Sequence, residues 1–263
     1  MSEQTSQMFR VAFLERSGSG EQRLEERLVA DVFRCRGIPF EFYTQKQIDR
    51  RTLPLGPDTF IMGAMPAMHG AMKQLQIPIP QPDDYPEPLR PFLHRRIWRS
   101  TLTELEQQIR QGLQRPVFAK PADRRKSFTG QVFVGEGDLY FLGSTGRRQD
   151  IWCSEVVRWI AEYRVYVIHE TVVAIDHYAG AADVSLSQKA LANALHAYCA
   201  SGLAPKAFAV DFGVLESGET ALVEANDGYA LGAYHVEGGV YTDLLLTRWS
   251  ELLGSRQPGG KGP

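Results

Sequence analysis

The chain has 263 residues, 43% hydrophobic and 23% charged, the balance of a globular protein with room for one to three compact units. Its formal net charge of −2 speaks against a general grip on nucleic acid, and no apolar run is long enough to cross a bilayer. Residues 1–8 lack the apolar segment of a secretion signal, and Cys35, Cys153 and Cys199 are too scattered for a zinc site or disulfide framework, so a cytoplasmic protein is expected.

Phe9 to Leu14 reads as a short strand, followed by the turn Ser17-Gly18-Ser19-Gly20. A helix is predicted over 21–36, with Leu24, Leu28, Val32 and Phe33 as its apolar stripe and Gly37 as its stop. Phe40–Tyr43 and Thr59–Met62 are the next strands, and strand–helix alternation predicts a small parallel α/β unit. The Gly18/Gly20 turn could cradle a phosphate, but position 23 is Arg, so the third glycine of G-x-G-x-x-G is missing and an ordinary turn is the simpler expectation. Residues 77–92 carry Pro78, Pro80, Pro82, Pro86, Pro88 and Pro91, cannot form a regular helix, and mark a boundary. A helix is then predicted over 93–111, with Ile97, Leu102, Leu105 and Ile109 apolar.

Val117–Pro121 is a strand that ends on Lys120, followed by a basic loop, 122–130, with Arg124, Arg125 and Lys126. Residues 131–134 and 139–142 are predicted as a hairpin about Gly135–Asp138, and 152–157 as a linker or short strand. Another hairpin is expected from 162–168 and 171–177 about His169-Glu170. A helix over 186–200 stops at Gly202. Val210–Val214 and Ala221–Asp227 form a further hairpin, a helix spans 241–253, and the Gly- and Pro-rich tail 255–263 is expected to be disordered.

The hairpin of 210–227 carries the chemistry. Asp211 and Glu224 sit in otherwise apolar strands, and a bare buried carboxylate is costly unless paired, protonated or metal-bound. Glu224 and Asn226, two apart, face the same side, and Asp211 can reach it from the partner strand, so one hairpin offers three oxygen donors to a hard cation such as Mg²⁺. The bland alternative is a polar strand end entering a surface loop. Arg164, inside an apolar strand, requires an anion, either a ligand or a structural partner such as Glu162. Asp227 and Tyr229 are candidates for a substrate pocket wall or a plain turn.

Taken in order, Lys120-Pro121, the loop with Lys126 and Gly130, Glu155-Val156-Val157, Glu162-Tyr163-Arg164, Asp211 and Glu224-Ala225-Asn226 resemble the ATP-grasp superfamily, and most nearly its clade named for one arginine and two lysines. The resemblance covers about residues 95–250. It implies an α/β fold with an N-terminal lobe (1–92) and an ATP-grasp domain (93–254) whose two lobes clasp ATP. It implies that Lys120 and Lys126 hold phosphates, that Glu155, Val156 and Val157 bind adenine through their backbone, and that Glu162 binds ribose. Asp211, Glu224 and Asn226 would hold Mg²⁺, and Arg164 and Lys126 would act in catalysis. Many relatives carry a basic residue two positions before the first metal carboxylate; here that position is Ala209, and Lys206 or Arg164 would have to replace it.

The implied function is ATP- and Mg²⁺-dependent ligation of a small-molecule or peptide carboxylate to an amine or thiol through an acyl phosphate. Neither a membrane nor, given the charge, nucleic acid is expected as partner, and a homodimer is compatible with the chain. Two alternatives stay open: a kinase-like phosphotransferase, and a nucleotide-binding interaction protein with a decayed site. An RNA-modifying ligase is suggested only by the Arg/Lys-rich stretches at 95–96, 124–126 and 147–148.

Overall fold

The structure, a computed structural model, describes residues 9–122, 128–143, 145–146 and 148–256. The predicted tail beyond Arg256 lies outside the described residues. The first unit is a parallel sheet in the order β2-β1-β3, built from β1 (Val11–Glu15), β2 (Phe40–Tyr43) and β3 (Thr59–Met62). Helix α1 (Leu24–Arg36) crosses from β1 to β2, with Glu25 and Glu26 in its first turn and Arg34 and Arg36 in its last, as the helix dipole favours. Gly37 closes it at φ 66°, a left-handed conformation open to glycine at little cost. The buried stripe is Glu26, Val29, Ala30 and Phe33, turned from the predicted one. Leu28 and Val32 instead meet Gly238, where a second helix begins, and Leu24 is exposed. Helices α2 (Gln45–Asp49) and α3 (Met65–Leu75) complete this lobe.

The predicted helix over 93–111 is divided. Ile97–Thr101 is strand β4, and α4 (Leu102–Arg110) starts only at Thr101. The divider is a capping box: Thr101 Oγ1 accepts from the Glu104 amide, and Glu104 Oε2 accepts from the Thr101 amide at 2.9 Å. Upstream, Ile97 to Thr101 pairs antiparallel with β7 (Asp150–Glu155), and Leu102, Leu105 and Ile109 keep the predicted apolar stripe. Strands β5 (Val117–Pro121) and β6 (Gln131–Phe133) complete a four-stranded sheet in the order β4-β7-β5-β6. The predicted hairpin over 131–142 does not form. Residues Glu136–Leu142 are a 3-10 turn, because Asp138 accepts from the Val134 and Gly135 amides at 2.6 and 3.0 Å and bends the chain away.

The larger sheet runs β11-β10-β8-β9, from β8 (Trp159–Ile168), β9 (Thr171–Gly180), β10 (Ala207–Leu215) and β11 (Thr220–Asp227). His169 and Glu170, at φ 46° and 66°, turn β8 into β9 as a two-residue hairpin with the twist that antiparallel strands prefer. Helix α5 (Gln188–Ala200) lies between β9 and β10 in sequence, and α6 (Gly238–Gly254) follows β11.

Among the described residues, three apolar cores result. One joins the parallel lobe to α6 and includes Phe13, Phe33, Phe60, Tyr241 and Trp249; the Trp249 indole donates to Thr59 O at 2.8 Å. A second packs the large sheet on α5, through Phe208, Phe212, Leu191 and Tyr198. The third packs α4 on the small sheet, through Leu102, Leu105, Phe133 and Ile151. The chain therefore has two four-stranded antiparallel sheets, each with its own core, and a seam between them.

Candidate nucleotide site

That seam holds a cleft of about 320 Å³. Its small-sheet wall is a line across three strands, Val132, Phe118 and Ser154, with Lys120 two residues beyond Phe118 on the same face. The crossover Glu155-Val156-Val157 forms the back, and Trp159, Glu162, Val223 and Glu224 form the large-sheet wall. Glu155 is fixed in place: its amide donates to Arg96 O at 3.1 Å, and its carboxylate accepts from the Arg96 amide at 3.0 Å. Trp159 packs against Gly213, where an added Cβ would stand 2.4 Å from the indole. Gly213→Ala is therefore expected to displace Trp159 and lower stability by about 1–3 kcal/mol, which thermal melts check.

The large sheet places charge on a single rung. Glu224, Asp211, Arg164 and Asp176 stand directly opposite one another across β11, β10, β8 and β9. Arg164 donates from Nε and Nη2 to the two oxygens of Asp211 at 2.8 and 2.7 Å, and from Nη1 to Gly232 O at 3.1 Å. Burial opposes its charge, yet the bond to Asp211 outweighs that and raises its pKa. The ring of Tyr234 lies 4.7 Å from the guanidinium and stacks on Tyr178, 4.7 Å away. Glu162 pairs not with Arg164 but with the Tyr178 hydroxyl, which donates to it at 3.1 Å, and burial raises its pKa.

The residues expected at the nucleotide are thus brought to one cleft, with Lys120, Glu155, Val156, Val157, Glu162 and Glu224 all on its wall. Lys126 lies outside the described residues, as do Arg124 and Arg125. Lys206 is remote: it stands five positions before Asp211, about 16 Å along an extended strand, beside His169 and Cys199. Ala209 faces Asn226 and Tyr166 and is fully buried in the first core, so a basic side chain there would lose its hydration. Asp227 and Tyr229 line a second cavity of about 260 Å³ with Asp83, Asn226 and Arg248. Arg248 donates to both oxygens of Asp227 at 2.7 and 2.6 Å, and Tyr229 hydrogen-bonds His69 at 3.0 Å.

Sequence reasoning missed Asp84, Tyr85 and Arg95. Tyr85 and Arg95 line the cleft, and Asp84 pairs with Lys120. Arg95 donates to Leu222 O and Val223 O at 2.6 and 3.1 Å and lies 5.1 Å from the Trp159 ring. A buried acid–aromatic pair between prolines, Asp84-Tyr85 between Pro82 and Pro86, was the available signal.

Asp211, Glu224 and Asn226 offer the donor types a hard cation takes and share one face of the sheet, where Asp211 accepts from Arg164, Glu224 accepts from Lys120, and Asn226 Nδ2 donates to Asp211 at 3.4 Å. Burial raises the Asp211 pKa against the pull of Arg164, and the nearby charges of Glu224 and Glu162 raise it further, so negative charge accumulates where a cation would relieve it. Among the described residues no group of three or more His, Cys, Asp or Glu side chains forms a metal cluster. A cation here would take the rest of its shell from Asn226 and from oxygens outside the chain.

Comparison with known proteins bears on family and fold. The family model that matches, over residues 92–244, is described as an ATP-grasp domain, second family of the clade named for one arginine and two lysines. Among solved structures, D-alanine–D-alanine ligase from Bacillus anthracis superposes with a TM-score of 0.56 at 12% identity, over 94% of this chain and 98% of that one. A RimK domain ATP-grasp protein from Sphaerobacter thermophilus gives 0.54 at 16% identity, over 89% and 98%. The ATP-grasp ligase PsnB, complexed with a minimal precursor, gives 0.52 at 11% identity, over 91% and 99%. Such identities establish likeness of fold. No curated protein matches the chain in sequence. With the match spanning more than half of its residues, the chain belongs to the ATP-grasp proteins, in the second family of the one-arginine, two-lysine clade.

Proposed function

We propose that this chain is an ATP-dependent ligase that activates a carboxylate as an acyl phosphate and joins it to an amine or thiol. One observation carries the reading: a single cleft between two separately cored sheets gathers Lys120, the 155–157 crossover, Glu162 and Glu224, and Glu224 shares its rung with Asp211 and Arg164. In this reading adenine lies against Trp159 and the backbone of 155–157, ribose meets Glu162, and phosphates reach Lys120. Mg²⁺, held by Asp211, Glu224 and Asn226, would neutralise phosphate oxygens. The substrate carboxylate attacks the γ-phosphorus and releases ADP; the acceptor then attacks the acyl carbon and releases phosphate. The protein's part is to place these groups and hold charge ready for them. Arg164 stands in for the basic residue absent at position 209, two positions from the Tyr166 that faces it.

The test is thermal stability with ATP, with Mg²⁺ and with both, in the natural chain and in Glu224→Ala. A ligand at about a hundred times its dissociation constant should add about 2.7 kcal/mol. A large shift that needs both ligands and disappears in Glu224→Ala supports the reading; no shift at millimolar ATP with Mg²⁺ removes it. Product analysis then separates ligation, which yields an amide or thioester, from simple phosphorylation, which leaves a stable phosphorylated acceptor.

A further inference from the structure

Lys120 does not meet the cleft unescorted. Its Nζ lies 2.6 Å from Glu224 Oε2 and 2.9 Å from Asp84 Oδ2, and 4.6 Å from the centroid of the Tyr85 ring. Burial opposes the ammonium charge, and Glu224, Tyr85 and Asp84 outweigh burial and raise the pKa. Asp84 is no loose surface acid. It is 7% exposed, and its carbonyl accepts from the Ala225 amide at 2.9 Å. Tyr85 beside it packs edge-on against Trp152, with ring centroids 5.1 Å apart. Pro82 and Pro86 stiffen the segment on either side. The proline-rich strap is thus tied to β11 one residue past Glu224, and it delivers a second carboxylate to the cleft lysine.

We propose that Asp84 is a specificity-determining residue that makes the cleft reject nucleotide lacking its divalent cation. The inference rests on the nucleotide reading of the cleft. Among the described residues of the cleft and its Lys120 partner Asp84, two cations, Lys120 and Arg95, stand against four acids, Asp84, Glu155, Glu162 and Glu224, so these side chains present net negative charge. A bare triphosphate meets repulsion there, whereas a triphosphate already carrying a divalent cation meets much less. A cation held by Glu224 would draw that carboxylate off Lys120, leaving the Nζ to share itself between Asp84 and phosphate. Specificity built on repulsion of the wrong ligand scales with that ligand's charge. Removing the Asp84 charge should therefore help bare ATP most, the magnesium complex less, and neutral adenosine not at all.

The experiment is equilibrium titration of the natural chain and Asp84→Asn with ATP in EDTA, with ATP in excess Mg²⁺, and with adenosine. Asp84→Asn is expected to tighten bare ATP by about tenfold, Mg-ATP by less than about threefold, and adenosine not measurably. An unchanged or weakened affinity for bare ATP overturns the inference, and so does an equal change for all three ligands, which marks a structural role. If Asp84→Asn melts well below the natural chain, Asp84→Ser takes its place in the same titrations. Should the natural chain bind neither Mg-ATP nor adenosine, the nucleotide reading itself fails. Should it bind both, and Asp84→Asn show no dependence on ligand charge, only the present inference fails.

Discussion

Arg164→Met lowers the unfolding free energy by about 3–5 kcal/mol, the usual result of removing one member of a buried, bidentate ion pair. Asp211 is 3% exposed, so the variant would keep a carboxylate inside the sheet without its main cation. The deficit has a pH signature. Burial already raises the Asp211 pKa, and loss of Arg164, which pulls it down, raises it further. A carboxyl with a raised folded-state pKa binds its proton more tightly when folded. The variant therefore regains stability as pH falls through that raised value and loses it as pH rises. Urea unfolding at several pH values checks this: the gap between the natural chain and Arg164→Met should narrow on acidification. Arg164→Met/Asp211→Asn should recover much of the loss, since it removes the stranded charge. A gap independent of pH would mean that packing around Tyr234 and Gly232, not charge, is what Arg164 supports.

Lys120→Ala weakens Mg-ATP binding by roughly ten- to a hundredfold, the equivalent of the 1.5–3 kcal/mol typical of a hydrogen bond to a charged group. Adenosine binding should hardly change, because Lys120 reaches Glu224, opposite Asp211, whereas Trp159 stands opposite Leu215, four positions further along β10. Isothermal titration with both ligands separates loss of a phosphate contact from collapse of the cleft. Equal loss for both would mean that Lys120 serves mainly to hold Asp84 and Glu224 together.

Much of the fold was legible because the signals were local. The strands Phe40–Tyr43, Thr59–Met62 and Val117–Pro121 have their predicted bounds, and the turn at His169-Glu170 and the stop at Gly37 are where short-range chemistry puts them. The failures are tertiary. Ile97 to Thr101 fits a helical stripe as well as a strand, and only pairing with β7 and the cap at Thr101 decide between them. The α1 stripe turned because two neighbours, the parallel sheet and α6, share that helix. At the site, Asp211, Glu224 and Asn226 were readable from strand parity alone. Arg164 was readable only as a residue in need of an anion; that the anion is Asp211 depends on a register between strands 47 positions apart. Asp84 and Tyr85 were readable only as an acid–aromatic pair between prolines, because nothing in a proline-rich segment says which sheet it will lie against.

The first core has a consequence for biogenesis. Strands β1 to β3 leave the ribosome early, but Tyr241, Leu244, Leu245 and Trp249, which complete their core, are made about 180 residues later. At roughly 5–20 residues per second the delay is roughly 10–35 seconds. Throughout that time Phe60, Ile61 and Met62 of the last parallel strand lack their final cover, while the small sheet can close on α4 once β7 ends at Glu155 and the large sheet on α5 once β11 ends at Asp227, still ahead of Tyr241. Folding during synthesis should therefore run from the middle of the chain outward, with the N-terminal lobe settling last and the nascent chain most in need of chaperone protection at its earliest-made end.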